Sequence, residues 1–327
     1  MDNSTLPVSK SEILFLYEST YSVPNGDPFT GEQRYDEETK KILVSDVRIK
    51  RFIRDHFALS DPNSIYVLND ASLQVAPKAK KGAADGEVAS VAATEEKAKS
   101  GSADRFIKLK GDLAGADAEA ALKQLIDVRL FGGILTKKGA AINMTGPVQF
   151  ALLNPSLNAV DLRMHQNTSV FASSTDKSRG AIGTTTVVPY ALCQIHGWVN
   201  PFAAQITGLK PEDVEAMFVA LWDSVNNANT RSKSNQNSLL LLQIVYAQPT
   251  KKLYGLDRMI DLNTKLEGQE EKRHEQLRSR DDYELDFGKL RQAAASDKVE
   301  RVRFHTEDEA LAQVLAGFEK FEPMGLS

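Results

Sequence analysis

The sequence contains a single cysteine, Cys193, among its 327 residues. One thiol excludes an intramolecular disulfide, and its position in an apolar run predicts a small buried side chain. Scarce cysteine is typical of proteins in a reducing cytoplasm. No apolar run approaches the ~18 residues that a membrane-spanning helix needs. We therefore expect a cytoplasmic protein that has no membrane partner.

Motifs for several classes of chemistry are also missing. The five histidines are scattered, no two of them have metal-ligand spacing, and a cysteine pair is absent. The chain has no Gly-x-x-x-x-Gly-Lys-Ser/Thr loop, the signature of nucleotide-driven motors, and no Gly-x-Ser-x-Gly elbow. We therefore expect no metal site, no bound cofactor and no enzymatic activity.

A basic excess, which most free nucleic-acid-binding proteins carry, is absent, since the formal net charge is −4. The charge is nevertheless uneven along the chain. Residues 48–54, 163–179 and 231–233 are locally cationic, whereas residues 267–309 are rich in Asp and Glu. This distribution is compatible with a basic groove beside an acidic flank.

The most informative stretch is residues 12–57. Apolar residues 13–17 predict a buried strand, and a Pro-Asn-Gly-Asp-Pro turn follows at residues 24–28. Ser45 and Asp46 predict the start of a helix, through side-chain capping and negative charge in the first turn. This arrangement brings backbone N–H groups and cations to one sheet edge, where a phosphate chain could bind. The alternative is an ordinary amphipathic helix with a solvated cationic side.

The rest of the chain alternates between strand and helix patterns. We expect a short strand at residues 65–68, a flexible insertion at 75–104, and a helix from Asp117 to the Gly132-Gly133 pair. These glycines either end that helix or let the backbone approach another molecule closely.

Residues 169–172 and 184–195 predict a hairpin with a polar tip at 173–180, and Pro211 begins the clearest helix. Further extended segments are predicted at 239–246, 283–290 and 299–305, with a final helix at about 307–321.

This order predicts an α+β fold with a ferredoxin-like, RRM-like βαββαβ core. The predicted organisation has four parts. Residues 1–58 and 136–250 form the core, residues 59–135 form a helical insertion, and residues 251–327 form a C-terminal extension that completes the core. The hairpin at about 160–190 projects from the second core segment.

Five motifs, in this order, resemble the Cas-seven family, the repeated backbone subunits of CRISPR Cascade surveillance complexes, with type I-B as the nearest branch. The first is the apolar strand with Pro-Asn-Gly-Asp-Pro, Arg34 and Ser-Asp-Val-Arg-Ile-Lys-Arg at residues 45–51. The others are Asp-Val-Arg-Leu-Phe-Gly-Gly at 127–133, Thr-Gly-Pro-Val-Gln-Phe at 145–150, Thr-Ser-Val-Phe-Ala at 168–172, and Asn-Thr-Arg-Ser-Lys at 229–233. Together they cover most of the chain outside its tail.

The resemblance implies a hand-shaped subunit, whose palm is the core, whose fingers are the helical insertion and whose thumb is the hairpin. It implies RNA contacts at matching positions, namely Asn25, Arg34, Ser45, Arg48, Lys50, Arg51, Gly132, Gly133, Arg231 and Lys233. Four further RNA-contact candidates rest on charge and location: Arg163, His165, Lys177 and Arg179.

The implied partners are CRISPR RNA, target DNA through pairing with the guide, other copies of the chain and other Cascade subunits. Sequence would be read by base pairing, while the protein holds phosphates and sugars. The enzymatic alternative is metal-dependent RNA cleavage, as in related type III backbone subunits. If this chain worked in that way, its Asp27 and Asp46 would hold a divalent ion, or its His165 would act as a general base beside Arg163.

Overall fold

A computed structural model describes residues 6–68, 117–137, 140–168, 182–267 and 274–326. The strands are β1 (Ser11–Ser22), β2 (Tyr35–Asp36), β3 (Lys41–Ser45), β4 (Gly132–Lys137), β5 (Ala140–Thr145), β6 (Val148–Phe150), β7 (Leu153–Pro155), β8 (Arg163–Thr168), β9 (Ile182–Val199), β10 (Gln236–Tyr246), β11 (Asp261–Thr264), β12 (Tyr283–Asp286), β13 (Val299–His305) and β14 (Phe321–Pro323). The helices are α1 (Asp46–Ser60), α2 (Ala118–Leu122), α3 (Ile126–Phe131), α4 (Pro201–Thr207), α5 (Pro211–Asn226), α6 (Gly288–Ala294) and α7 (Glu309–Ala316).

Strand β1 lies near the middle of the main sheet. The strand order is β14-β13-β10-β1-β9-β6, with β8 paired to the outer part of β9. β1 is antiparallel to both neighbours, so that Phe15 lies opposite Leu241 on one side and Ile195 on the other. The predicted strand at residues 13–17 is therefore confirmed, and β1 extends it in both directions.

Both faces of β1 are buried over residues 11–17, which explains the unbroken apolar run there. Phe15 and Tyr17 face a core that includes Trp222 of α5 and Ile53 of α1. The alternate residues Leu14 and Leu16 face a second core, formed with residues of β10, β13 and the C-terminal helices. The C-terminal region therefore covers one face of the sheet and adds β13 and β14 to its edge.

A smaller third core joins Tyr66, α2, α3 and the β4–β5 hairpin. Two predictions in this region are wrong. The single helix predicted from Asp117 is two short helices, α2 and α3, interrupted at residues 123–125. Residues 65–68 are not a strand, because the Tyr66 and Val67 N–H groups donate to the carboxylate of Asp127 rather than to a neighbouring strand.

The remaining segments largely follow the predictions. Pro211 begins α5, and β10, β13 and α7 lie where extended and helical segments were expected. The predicted strand at 283–290 ends at Asp286, because Asp286 accepts a hydrogen bond from the Gly288 N–H and the chain turns into α6. The α+β class is confirmed. Among the described residues, no helix has the length and apolar character to cross a bilayer.

A hairpin is present in this region, since β8 pairs antiparallel with β9 from Arg163 opposite Val187 to Thr168 opposite Ile182. The predicted second arm at 184–195 lies within β9, whereas β8 lies before the predicted first arm at 169–172. The expected tip at 173–180 and the strand at 169–172 lie outside the described residues, as do Lys177, Arg179 and the 75–104 insertion.

Candidate nucleic-acid interface

The start of α1 is fixed by side chains that the sequence singled out. Ser45 caps the helix, because its Oγ accepts a hydrogen bond from the Arg48 N–H at 3.4 Å. The Ser45 N–H in turn donates to Oδ1 of the buried Asn25 at 2.7 Å. The predicted helix start is confirmed, and the 24–34 loop is attached directly to it.

Asp27 organises that loop. Its Oδ1 accepts hydrogen bonds from the Phe29 and Thr30 N–H groups at 2.9 and 3.4 Å, and its Oδ2 lies 3.2 Å from Arg34 Nη1. The hydrogen bond from Phe29 is the main cause that lowers the pKa of Asp27. This carboxylate is engaged in forming its own turn, as is common for Asp in turns.

A cleft of about 780 Å³ lies between this loop and the first turns of α1. Six of the predicted RNA-contact residues line it: Asn25, Arg34, Ser45, Arg48, Arg51 and Lys233. Lys233 follows α5 and is far from the others in sequence, so the fold brings together residues of two separate motifs.

The side chain of Arg48 is held in this cleft by an aromatic ring. Its guanidinium carbon lies 3.6 Å from the centroid of the Phe52 ring, a cation–π arrangement. Burial lowers the pKa of Arg48 to about 10, so the group remains cationic at neutral pH. Within the described residues, its Nε is buried and has no hydrogen-bond partner, and the same holds for Nε of Arg34.

Lys233 shares this electrostatic environment. Burial and the nearby charges of Arg48 and Arg51 lower the pKa of Lys233. Arg51 forms an ion pair with Asp55, one turn further along α1, with 3.1 Å between Arg51 Nε and Asp55 Oδ2. Like charges that lie close together repel one another, so an anion that bound between these side chains would be stabilised.

Two further clefts adjoin the first. One, of about 500 Å³, is lined by Tyr21, His165, Arg231 and Lys233, and the other, of about 750 Å³, lies between α1 and the end of α5. Lys233 lines all three clefts. We call the surface formed by Arg34, Arg48, Arg51, His165, Arg231 and Lys233 the basic groove.

Two predicted cations do not line these clefts. Lys50 lies on another side of α1, where its Nζ is 3.1 Å from both Asp46 Oδ2 and Gln149 Oε1. Arg163 is exposed on β8 and lies 3.1 Å from Asp161. For Lys50, helical geometry is the reason, because residues two apart point to nearly opposite sides of a helix.

One glycine of the 132–133 pair has a role within the chain. Gly132 ends α3 with a φ of +79°, and a Cβ there would lie 2.1 Å from the carbonyl oxygen of Met144. A Cβ on Gly146 would likewise lie 2.0 Å from the carbonyl carbon of Phe131. A Cβ on Gly133 would make only ordinary van der Waals contacts, with Val128 and Tyr66. The helix-end alternative therefore describes Gly132, and RNA contact at both glycines stays a prediction.

The sequence did not indicate that two other arginines form buried ion pairs within the chain. Arg54 pairs with the fully buried Asp127 at 3.0 Å, and Arg129 pairs with Asp213 at 2.6 Å. Sequence reasoning also missed Tyr21 and the role of Phe52 beneath Arg48. The spacing of four between Arg48 and Phe52 on a helix could have indicated that contact.

The carboxylates of the enzymatic alternative are likewise engaged. Asp27 holds its turn and Arg34, while Asp46 pairs with Lys50 at 3.1 Å. Across the residues that the structure describes, no group of three or more His, Cys, Asp or Glu side chains could hold a metal ion.

Comparison with known proteins identifies the family. The family model for CRISPR-associated protein Cas7 matches residues 9–288. The chain is 28% identical over 287 residues to a CRISPR-associated protein Cas7 from Haloferax volcanii, covering 78% of this chain and 76% of that protein. A chain of a CRISPR RNA-guided surveillance complex, pre-nicking, superposes with a TM-score of 0.51 at 14% identity, covering 97% of each chain. The family model spans most of the sequence, and the chain therefore belongs to the CRISPR-associated protein Cas7 family.

Proposed function

We propose that this chain is a backbone subunit of a type I Cascade effector, closest to type I-B, that binds CRISPR RNA along the basic groove. The observation that carries the proposal is the meeting of Arg48, Arg51 and Lys233 in one cleft beside the capped start of α1. These residues belong to two of the motifs that resemble those of the family.

The electrostatics of the groove suit a phosphate chain. Arg34 and Arg48 both line the cleft, where phosphate oxygens would accept hydrogen bonds from their guanidinium groups. Burial, together with the nearby charges of Arg48 and Arg51, lowers the pKa of Lys233, and an anion bound beside these groups would offset that effect. An acidic protein can thus bind RNA through a local concentration of cations.

Phosphate binding carries no sequence information, which fits a guide carrier. The guide would be held by its phosphates and sugars, with its Watson–Crick edges left free to pair with target DNA. The residues proposed for this contact are Arg34, Arg48, Arg51, Arg231 and Lys233, with Asn25 and Ser45 fixing the loop and helix that carry them. His165 is proposed as an additional contact from the hairpin.

We infer that the palm is the ferredoxin-like unit of β1, α1, β6, β9, α5 and β10. In support, the strand order is β10-β1-β9-β6 with antiparallel neighbours, and α1 and α5 each connect two strands of this set. The third core, with α2 and α3, would be the fingers, and the β8–β9 hairpin the thumb.

The proposed assembly is a filament of identical subunits in the cytoplasm, together with other Cascade subunits. In this role the chain is a non-catalytic holder of the guide. The engagement of Asp27 in its own turn and with Arg34 supports that assignment over RNA cleavage.

Isolation of the native complex tests the proposal. Sequencing of the nucleic acid that co-purifies with the full-length chain should give short transcripts that share a repeat-derived segment. Recovery of nucleic acid without such a segment, or of none, would contradict the function. Incubation of the same complex with labelled complementary RNA and magnesium should leave that RNA intact, and Asp27-dependent fragments would support the enzymatic alternative.

A further inference from the structure

The end of β1 carries an exposed aromatic side chain on a residue with an unusual backbone conformation. Tyr21 has a φ of +46° and is 61% exposed. A left-handed conformation costs an ordinary residue about 1–2 kcal/mol, and glycine or asparagine usually occupies such positions. A large aromatic residue here is therefore unexpected on grounds of folding alone.

The backbone on either side of Tyr21 is held by hydrogen bonds. Thr20 and Ser22 keep their places opposite Tyr190 and Val188 of β9. The Thr20 N–H donates to the Asn235 carbonyl at 3.0 Å, and the Val23 N–H donates to the Ser232 carbonyl at 2.7 Å. The conformation is thus imposed by paired neighbours, a pattern that strained residues at functional sites often show.

The ring lies among cations. Tyr21 lines the same cleft of about 500 Å³ as His165, Arg231 and Lys233, and Lys233 also lines the cleft that contains Arg48. Exposed aromatic rings beside a cationic track are the usual means by which proteins hold single-stranded nucleic acid without reading its sequence. In such sites an aromatic ring stacks on a base while nearby cations contact the phosphates on either side.

We propose that Tyr21 is a stacking platform for one nucleobase of the bound RNA. The proposal rests on the proposed function and deepens it, because it assigns a base contact to a groove otherwise described by phosphate contacts. Stacking uses the ring face, so the phenolic hydroxyl is dispensable and any base is accepted.

Binding of fluorescently labelled RNA to the full-length protein tests this. Two probes of equal length are used, one with ordinary bases and one with abasic riboses along the same phosphate backbone. Tyr21→Ala should weaken binding of the ordinary probe about tenfold, within the range of base–aromatic stacking. It should leave binding of the abasic probe unchanged. Tyr21→Phe should bind both probes as the wild type does.

The controls separate this proposal from the function on which it rests. Arg48→Ala should weaken binding of both probes equally, because it removes a phosphate contact. Tyr21→Asn, which suits the left-handed backbone, should unfold no earlier than the wild type and should show the same selective loss as Tyr21→Ala. Equal losses on both probes, or no loss on the ordinary one, would overturn the role of Tyr21 alone. Failure of the wild type to bind either probe would overturn the proposed function as well.

Discussion

The guanidinium of Arg48 lies over the ring of Phe52, 3.6 Å from its centroid, one turn further along α1. Phe52 belongs to the buried face of the helix, so its position is set by the core. The core thereby fixes the place of a cation in the basic groove. This link between packing and charge position is the basis of the first prediction.

Phe52→Leu should weaken RNA binding about threefold to tenfold, the range expected for losing a partly buried cation–π contact. The salt dependence of binding should stay unchanged, because Arg48 still carries its charge but is less well placed. Titration of labelled RNA at several salt concentrations measures both quantities. A reduced salt slope in this variant would show that Phe52 affects more than the placement of Arg48.

Asp127→Ala should lower the free energy of unfolding by about 3–5 kcal/mol, because Arg54 would remain largely buried without its partner. The N–H groups of Tyr66 and Val67 would also lose their acceptor. Urea denaturation measures the loss. Asp55→Ala is the matched control, since the Asp55–Arg51 pair is about 40% exposed and should contribute less than about 1 kcal/mol.

Gly146→Ala should prevent stable folding of the third core, because the new Cβ would lie 2.0 Å from the carbonyl carbon of Phe131. The two nearest atoms, the carbonyl carbon of Phe131 and the backbone nitrogen of Gly132, belong to the main chain and cannot easily move aside. Gly208→Ala is the control: Gly208 has a φ of +77°, but nothing lies within 4 Å of where its Cβ would be, so only about 1 kcal/mol of strain is expected. Thermal unfolding of the two variants compares them, and similar melting temperatures would contradict the close approach.

The stability of the protein should depend on pH through Glu18. Burial raises the pKa of Glu18, and its Oε1 accepts a hydrogen bond from the Tyr190 hydroxyl. A raised pKa means that the folded chain binds more protons than the unfolded chain, so stability falls as pH rises from the ordinary carboxyl value through the raised one. Glu18→Gln keeps an acceptor and removes this titration.

The comparison between wild type and Glu18→Gln therefore has a definite sign. The stability of the variant relative to the wild type should increase as the pH rises from 4.5 to 8. Denaturant midpoints at several pH values measure the difference. A relative stability that is flat or falls over that window would contradict the effect of burial on Glu18.

Local signals predicted much of the fold. The apolar run of β1, the cap at Ser45 and the Pro211 start of α5 depend on neighbouring residues only, and each is confirmed. The break between α2 and α3 and the irregular path at Tyr66 depend on tertiary contacts, above all with Asp127, and could not be predicted. The covering of the second face of the sheet by the C-terminal region also lacked a local signal.

The candidate site shows the same division. Arg48, Arg51 and Lys233 were selected from motifs, and the fold brings them into one cleft. Lys50 was selected by the same motif but pairs with Asp46 and Gln149, because a run of basic residues on a helix cannot all face one way. Which cations are neutralised internally depends on distant carboxylates, as with Arg54 and Asp127.

The salt dependence of RNA binding tests the central claim most directly, with the Arg48→Ala/Lys233→Ala double variant compared with the wild type. Arg301→Ala is the control, because Arg301 lies on β13 outside the basic groove and pairs with Glu300 and Glu322. If the two cations contact phosphates, the slope of log K against log salt should fall in magnitude by about 0.7 for each lost contact. The affinity should fall with it for RNA of any sequence, while Arg301→Ala binds as the wild type does. An unchanged slope and affinity in the double variant would contradict the account.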